Sequence, residues 1–302
     1  ARVVARELRR DDVSVVSNPE FLREGSAVQD FLHPDRVVIG SDDRSAALAT
    51  AELYASLNAP LMITDPASAE TIKYASNAFL ATKLSYINAV AAVCEAVGAD
   101  VADVVTGMGY DTRIGREFLR PGPGWGGSCF PKDTVAMVRI ASNAGYDFGL
   151  LRGVMEVNDQ QFERIVDKVR VGAGGSLEGR TVGMWGLTFK ARTDDLRDSP
   201  ALEVAGRLVA AGAKVVAFDP TVDPSKEPRS ELADLVVAAD PLEAASGADV
   251  LAVLTEWDEF RWVDLGEVAE AMSGATVVDG RNLLNPTEVR AAGLRYDGIG
   301  RS

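Results

Sequence analysis

Thr181-Val182-Gly183-Met184-Trp185-Gly186-Leu187 is a short apolar run, and its place at the head of an alternating series decides the fold. A helical pattern from Ala201 to Ala211 comes next, then a second apolar run, Lys214-Val215-Val216-Ala217-Phe218. The alternation continues with a helix near Pro241 to Ala245, a strand from Val250 to Thr255, a helix from Leu265 to Met272 and a strand from Thr276 to Asp279. Short apolar strands separated by helices predict an α/β domain with a parallel sheet over residues 180–302. Gly183-Met184-Trp185-Gly186-Leu187 lacks the three-glycine spacing of a dinucleotide fingerprint, so no dinucleotide is assigned there. Polar segments succeed the strands: Phe189-Lys190-Ala191-Arg192 and Asp194 to Asp198 after the first, Asp279-Gly280-Arg281-Asn282 at the last. Open α/β sheets bind ligands at the carboxyl ends of their strands, so Lys190 and Arg281 are suited to an anion.

Toward the N-terminus, Gly172 to Gly179 reads as a glycine-rich linker and Leu150 to Val169 as a helix. Before them stands Pro121-Gly122-Pro123-Gly124-Trp125-Gly126-Gly127-Ser128-Cys129-Phe130-Pro131-Lys132-Asp133, with four glycines and three prolines around one cysteine. Such a run is a shaped loop, because Gly raises the entropy cost of regular structure and Pro removes donors. The residues from Lys132 to Ala144 have a helical apolar pattern, and Pro131 suits a first turn. Cys129 is therefore expected just before a helix N-terminus, where the backbone partial charge and Lys132 favour a thiolate nucleophile. A buried, inert cysteine is the alternative; glycines that admit a ligand on one side and Lys132 and Asp133 on the other weigh against it.

Pro66 to Val97 is predicted to be one long helix, opened by Asp65 and closed by Gly98. Its apolar residues cover more than one face, so it either joins two domains or packs on a second subunit. Cys94 belongs to that apolar set, while Lys73 and Asn77, four apart, share a face that points into a cleft or into solvent. A shorter helix is expected around Val101 to Thr106. Upstream, Val13 to Val16, Arg36 to Ile39 and Leu61 to Ile63 read as strands and Ala46 to Leu57 as a helix, part of another α/β sheet. The polar loop Asn18-Pro19-Glu20-Phe21-Leu22-Arg23-Glu24-Gly25 sits at an expected strand end, with Glu20 and Glu24 available for proton or water handling. His33, the only histidine, precedes Pro34 and is a poor base; Arg2 to Arg10 reads as a helix with Val3, Val4 and Leu8 as its apolar face.

The 302 residues carry a net charge of -14 and are 47% hydrophobic, enough for two or three domains with real cores. No basic footprint for nucleic acid or an anionic membrane is visible. No apolar run of spanning length and no signal peptide are read, and two cysteines do not resemble a disulfide framework, so a cytoplasmic protein is expected. Taken together, a thiolate at a glycine loop, a Lys and Asn on a helix, loop carboxylates and cationic strand ends suit covalent handling of a carbonyl. Cys129 adds to it, Lys73 and Asn77 stabilise the oxyanion, and a carboxylate such as Asp133 manages protons.

Asn18 to Gly25, the Lys73/Asn77 pair, Gly122 to Asp133 and Gly186-Leu187-Thr188-Phe189-Lys190 together closely resemble the UDP-glucose/GDP-mannose dehydrogenase family, in order from residue 1 to about 285. The resemblance implies an α/β chain of three parts. These are the C-terminal remnant of a Rossmann-like NAD-binding domain (residues 1–65), a central helical dimerisation domain with the long helix and the cysteine loop (66–170), and a Rossmann-like UDP-sugar-binding domain (180–302). It implies NAD-dependent, two-step oxidation of a sugar C6 alcohol to a carboxylate through a thiohemiacetal and thioester on Cys129. Lys73 and Asn77 match its oxyanion and water partners, Asp133 a proton-transfer residue, and Glu20 and Glu24 acidic positions near sugar and cofactor. Phe21, Leu22, Arg23, Phe118 to Gly124 and Lys190 match substrate contacts, to which Arg281 is added from its place at a strand end, and Lys132 and Arg197 match residues near NAD. Arg113 matches an arginine that reaches the substrate of the neighbouring subunit, in a homodimer built on the long helix.

Family members begin with a strand and a Gly-rich fingerprint for the NAD diphosphate, and this sequence shows no such opening. The chain by itself is therefore expected to bind NAD poorly and to turn over little. The Ser128 to Asp133 wording favours UDP-glucose; the alternatives are GDP-mannose or another UDP-sugar as substrate, or a non-catalytic sugar-nucleotide-binding and dimerisation module.

Overall fold

The computed structural model describes residues 2–8, 12–223, 225 and 230–301. The chain divides into two compact units, residues 1–79 and 80–302.

The first unit opens with α1 (Arg2–Leu8), whose expected apolar residues Val3, Val4 and Leu8 are exposed; Arg9 and Arg10 of the predicted helix lie outside the described residues. Val13 to Val16, expected as a strand, is not one. A strand needs a partner to complete its ladder, and here only Ser17 pairs, antiparallel to Gly40, through a bond in each direction. A short helix the sequence pattern did not suggest, α2 (Ala27–Leu32), comes after the polar loop. Strands β1 (Val37–Gly40) and β2 (Leu61–Thr64) then pair in parallel across α3 (Arg44–Glu52). This helix begins two residues before the expected Ala46 and stops short of Leu57, because the Asp43 carboxylate accepts from Ser45 N and Ala46 N and so sets its start. Ile39 and Ala47, with Val37, form a small core.

Helix α4 (Pro66–Val97) is the predicted long helix, residue for residue; Asp65 accepts from Ser68 N at its start and Gly98, at φ 73°, ends it. By length and composition it is also long and apolar enough to cross a membrane, which departs from the expectation of no such run, with a best 18-residue window of mean hydropathy 1.2. Its inward residues Ile87, Ala91 and Cys94 are core.

The second unit holds α5 (Val101–Gly109), α6 (Phe130–Asn143) and α7 (Gly149–Gly172), and then the sheet: β3 (Thr181–Trp185), α8 (Pro200–Ala210), β4 (Lys214–Phe218), β5 (Val236–Val237), α9 (Pro241–Ala245), β6 (Val250–Val253), α10 (Leu265–Ala271), β7 (Thr276–Asp279), α11 (Pro286–Ala291) and β8 (Arg295–Gly298). The predicted parallel α/β domain is observed, with β5, α11 and β8 added. Every pairing is parallel and the order is β5-β4-β3-β6-β7-β8, the doubly wound arrangement whose direction reverses between β3 and β6. Both faces of β6 and β7, and of β3 beyond Thr181, are covered, and the residues between Thr276 and Asp279 and along β6 are apolar. Gly172 to Gly179 is not a loose linker: α7 runs through Gly172, and Ala173 and Leu177 are buried in the main core.

Candidate active site

In the second unit the glycine loop leads into α6, with Cys129 at its N-cap position and half-buried. The helix thus starts at Phe130, two residues before the expected Lys132, with Pro131 in its first turn, where its missing N–H is no loss. Cys129 Sγ lies 3.6 Å from Ser128 Oγ, and Cys129 O accepts from Asp133 N at 2.9 Å. Asp133 is buried, and Lys132 Nζ reaches its Oδ1 at 2.6 Å from an exposed position.

Three buried amides hold the loop, and none of them is marked in the sequence pattern. Gly122 N donates to Asn88 Oδ1 (2.9 Å), and Gly122 O accepts from Gln161 Nε2 (2.7 Å). Asn158 closes a two-way bond with Trp125, accepting from its N (2.8 Å) and donating to its O (2.9 Å). Trp125 Nε1 donates to Ser85 Oγ (2.8 Å), which in turn donates to Val154 O (2.7 Å). The available signal was polar residues on the buried faces of two helices, Ser85 and Asn88 on α4, Asn158 and Gln161 on α7.

The glycines explain themselves by what stands against them. A Cβ on Gly126 would lie 1.9 Å from Asp198 O; one on Gly127 would meet the Phe189 ring at 2.8 Å; and one on Gly124 would meet the Phe162 ring at 2.6 Å. The loop therefore interlocks with the turns after β3. Phe118, which adopts φ 62°, turns its ring toward Phe130, 6.3 Å between centroids. Arg281 joins the same group: Nε donates to Leu254 O (2.8 Å), Nη2 donates to Phe189 O (3.0 Å), and Nη1 is near Gly122. Lys190, half-buried, has Nζ 5.3 Å from the Phe189 ring centroid. Cys129, Lys132, Asp133, Phe118, Gly124, Lys190 and Arg281 thus belong to one neighbourhood of the second unit. Arg197 is exposed and forked onto Asp195, and Arg113 is 87% exposed and forked onto Asp111.

In the first unit the structure brings Glu20, Phe21 and Lys73 together. Lys73 Nζ is 3.0 Å from Glu20 Oε1 and 5.6 Å from the Phe21 ring centroid, and Glu20 Oε2 accepts from Leu22 N at 2.7 Å. Asn77, one turn beyond Lys73 on α4, is buried. Arg36 lies over the Phe21 ring at 3.7 Å, a second cation that the sequence pattern did not single out. Arg23 is engaged by Asp30 of α2 through its backbone N (2.8 Å) and its guanidinium (2.5 Å), and Arg23 holds that carboxyl down at about 2 against the opposing effect of burial. Leu22 is exposed, and Glu24 is half-buried in the turn before α2.

Three family models match in order: the UDP-glucose/GDP-mannose dehydrogenase family NAD binding domain over residues 2–58, its central domain over 67–160 and its UDP binding domain over 183–286. The chain is 46% identical to a UDP-glucose 6-dehydrogenase of Rhizobium meliloti over 99% of its own length and 69% of that protein's. It is 47% identical to one of Bacillus subtilis over 97% of its length and 63% of that protein's. The chain thus spans roughly two thirds of these relatives. Among solved structures, a UDP-glucose dehydrogenase from Pyrobaculum islandicum superposes with a TM-score of 0.89 at 38% identity, covering 100% of this chain and 67% of that one. On this similarity along nearly its whole length, the chain belongs to the UDP-glucose/GDP-mannose dehydrogenase family.

Proposed function

We propose that the chain serves NAD-dependent oxidation of UDP-glucose to UDP-glucuronate in two steps through Cys129. Residues 1–65 contribute to the NAD-binding part, 66–170 carry the cysteine loop and the dimer helix, and 180–302 take the UDP-sugar. The observation that carries this reading is a half-buried thiol at a helix start, on a loop clamped by Asn88, Asn158 and Gln161 and beside buried Asp133. The names of the two curated relatives, UDP-glucose 6-dehydrogenases at 46% and 47% identity, support the substrate.

NAD, when bound, supplies the acceptor for the hydride lost at each oxidation. The first unit fits one edge of an NAD-binding sheet, and the starts of its α3 and α4 are closed by Asp43 and Asp65, so neither offers its free N–H groups to a diphosphate. Glu24, Lys132 and Arg197 are its proposed cofactor contacts. The steps that this chain's own residues perform concern the sugar. Cys129 sulfur forms a bond to the C6 aldehyde carbon as the C=O π bond breaks and the thiol proton passes to the oxygen; the tetrahedral carbon can then release its own hydrogen as hydride, which the aldehyde could not. Lys73 and Asn77 stabilise the negative charge that develops on the oxygen during addition, and they orient water, with Glu20 holding the Lys73 ammonium. After the second oxidation the water adds to the thioester, Asp133 takes up its proton, and the C–S bond breaks to return the thiol. Phe21, Leu22, Arg23, Phe118, Gly124, Lys190 and Arg281 contact the UDP-sugar.

The same reading includes a homodimer through α4 in the cytoplasm. Phe79, Tyr86, Val93 and Val97 recur on α4 at spacings of seven, seven and four and each is more than half exposed, an apolar stripe that a second copy would cover. Arg113, forked by Asp111 and exposed, is the residue proposed to reach the neighbour's substrate. Both cysteines are free thiols, as a reducing compartment would keep them.

Calorimetry of the chain with UDP-glucose and GDP-mannose tests the substrate: binding of the first alone is expected, and a preference for the second overturns the reading. The UDP-sugar 6-aldehyde should protect Cys129 from iodoacetamide; equal alkylation with and without it removes the covalent step. In sedimentation, Tyr86→Glu is expected to convert a dimer to a monomer.

A further inference from the structure

Asp219 stands at the carboxyl end of β4, the sheet's second strand in chain order. In dinucleotide-binding sheets of this strand order, the carboxylate at that place takes a ribose hydroxyl. Here it is fully buried and turned inward. Its Oδ2 accepts from Leu187 N (2.8 Å), Thr188 N (3.0 Å), Thr188 Oγ1 (3.0 Å) and Trp257 Nε1 (3.1 Å). Its Oδ1 accepts from Thr221 N (3.0 Å) and Thr221 Oγ1 (2.8 Å). These donors exceed the roughly four lone-pair sites of a carboxylate, so none is left for a ribose. The turn after β3 is tied from other sides as well: Thr255 Oγ1 donates to Thr188 O and Ser199 Oγ donates to Leu187 O, both at 2.6 Å. The next two residues are Phe189, whose ring stands against Gly127 of the cysteine loop, and Lys190.

We propose that Asp219 is a positioning residue for the nucleotide site: by locking Leu187 and Thr188 it sets where Lys190 stands to meet the diphosphate of a nucleoside diphosphate sugar. This rests on the reading of Lys190 as a substrate contact. The carboxylate that a dinucleotide sheet would offer to its ligand has here become part of the scaffold of the loop that binds.

Titration calorimetry of UDP into the 302-residue chain tests it. Asp219→Asn, which puts an amide N–H₂ where an acceptor is needed, is expected to weaken binding about tenfold, the loss typical of one displaced charged contact. Thr188→Val should weaken it and Thr188→Ser restore it. In a Lys190→Ala background, Asp219→Asn should add less than about twofold, because coupled residues are not additive. Full additivity of the two losses overturns the proposal, since a merely structural Asp219 would act independently of Lys190. Hydrogen exchange is read in parallel: Leu187 and Thr188 amides should exchange about tenfold faster in Asp219→Asn while Val182 to Met184 stay protected. Unchanged exchange at Leu187 and Thr188, or acceleration throughout β3, also overturns it. Failure of the unsubstituted chain to bind UDP would sink the substrate reading, and the exchange result would still decide whether Asp219 holds the turn.

Discussion

The cysteine loop of the second unit and the Asn18 to Gly25 loop of the first are both dense in proposed site residues, yet they are held in opposite ways. The backbone of the cysteine loop is clamped by buried side-chain amides, and its glycines touch neighbouring atoms directly. Beyond Asn18, whose amide donates to Val38 O and accepts from the Tyr54 hydroxyl, the Asn18 to Gly25 loop is held by charge: Arg23 on Asp30, Lys73 on Glu20 and Arg36 over Phe21, all with at least one partner in solvent contact. A buried hydrogen bond has no water to replace it when broken, whereas an exposed ion pair exchanges its partner for solvent at little cost. The nucleophile's loop is thus held by buried bonds and close packing, and the polar loop largely by pairs open to solvent.

The sharpest way to break that contrast is Gly126→Ala. The methyl group has no room beside Asp198 O, a backbone atom, and the substitution is expected to destabilise the chain by about 3 kcal/mol in urea unfolding. Next comes Asn158→Ala, which leaves Trp125 N and O unpaired in the interior; about 2 kcal/mol should be lost, together with the protection of Cys129 by the aldehyde. In the polar loop Glu20→Gln should change stability by less than about 1 kcal/mol, because the Lys73 pair is half in solvent. A larger loss there would erase the distinction between the loops. The smallest effect is in pH. The Asp30 carboxyl is lowered in the folded chain to about 2, so its contribution is complete above the ordinary carboxylate range and fades only as pH falls toward 2. Carbon-detected NMR titration of Asp30 should show that low midpoint, and Arg23→Gln should return it toward about 4.

Much of this was legible in the chain itself. Pro66–Val97 could be bounded to the residue because Asp65 and Gly98 are local signals that act on their own helix. Strands β4 and β7 were likewise read at their observed limits from apolar runs. Val13 to Val16 was misread because β-branched residues state a preference for extended backbone and say nothing about a partner. β8, Arg295-Tyr296-Asp297-Gly298, was missed for the converse reason: its composition is polar, and it becomes a strand by pairing with β7. At the site, Cys129 was found by its glycines and its helix, but Asn88, Asn158 and Gln161 were not, since a lone amide on a helix carries no mark of what it will bond to.

The chemistry of single residues and the local grammar of caps, glycines and apolar runs were determined by the sequence alone: a thiol before a helix, a long helix, a parallel α/β domain. Only the tertiary structure decided that Asp219 serves its neighbouring turn and leaves no acceptor for a ligand, that Arg281 bridges strand ends, and that buried amides clamp the nucleophile's loop. The physical reason is range. Caps and periodicity act over a few residues, whereas a buried polar group takes whichever partner the fold brings within hydrogen-bond distance, and these partners lie tens of residues away along the chain.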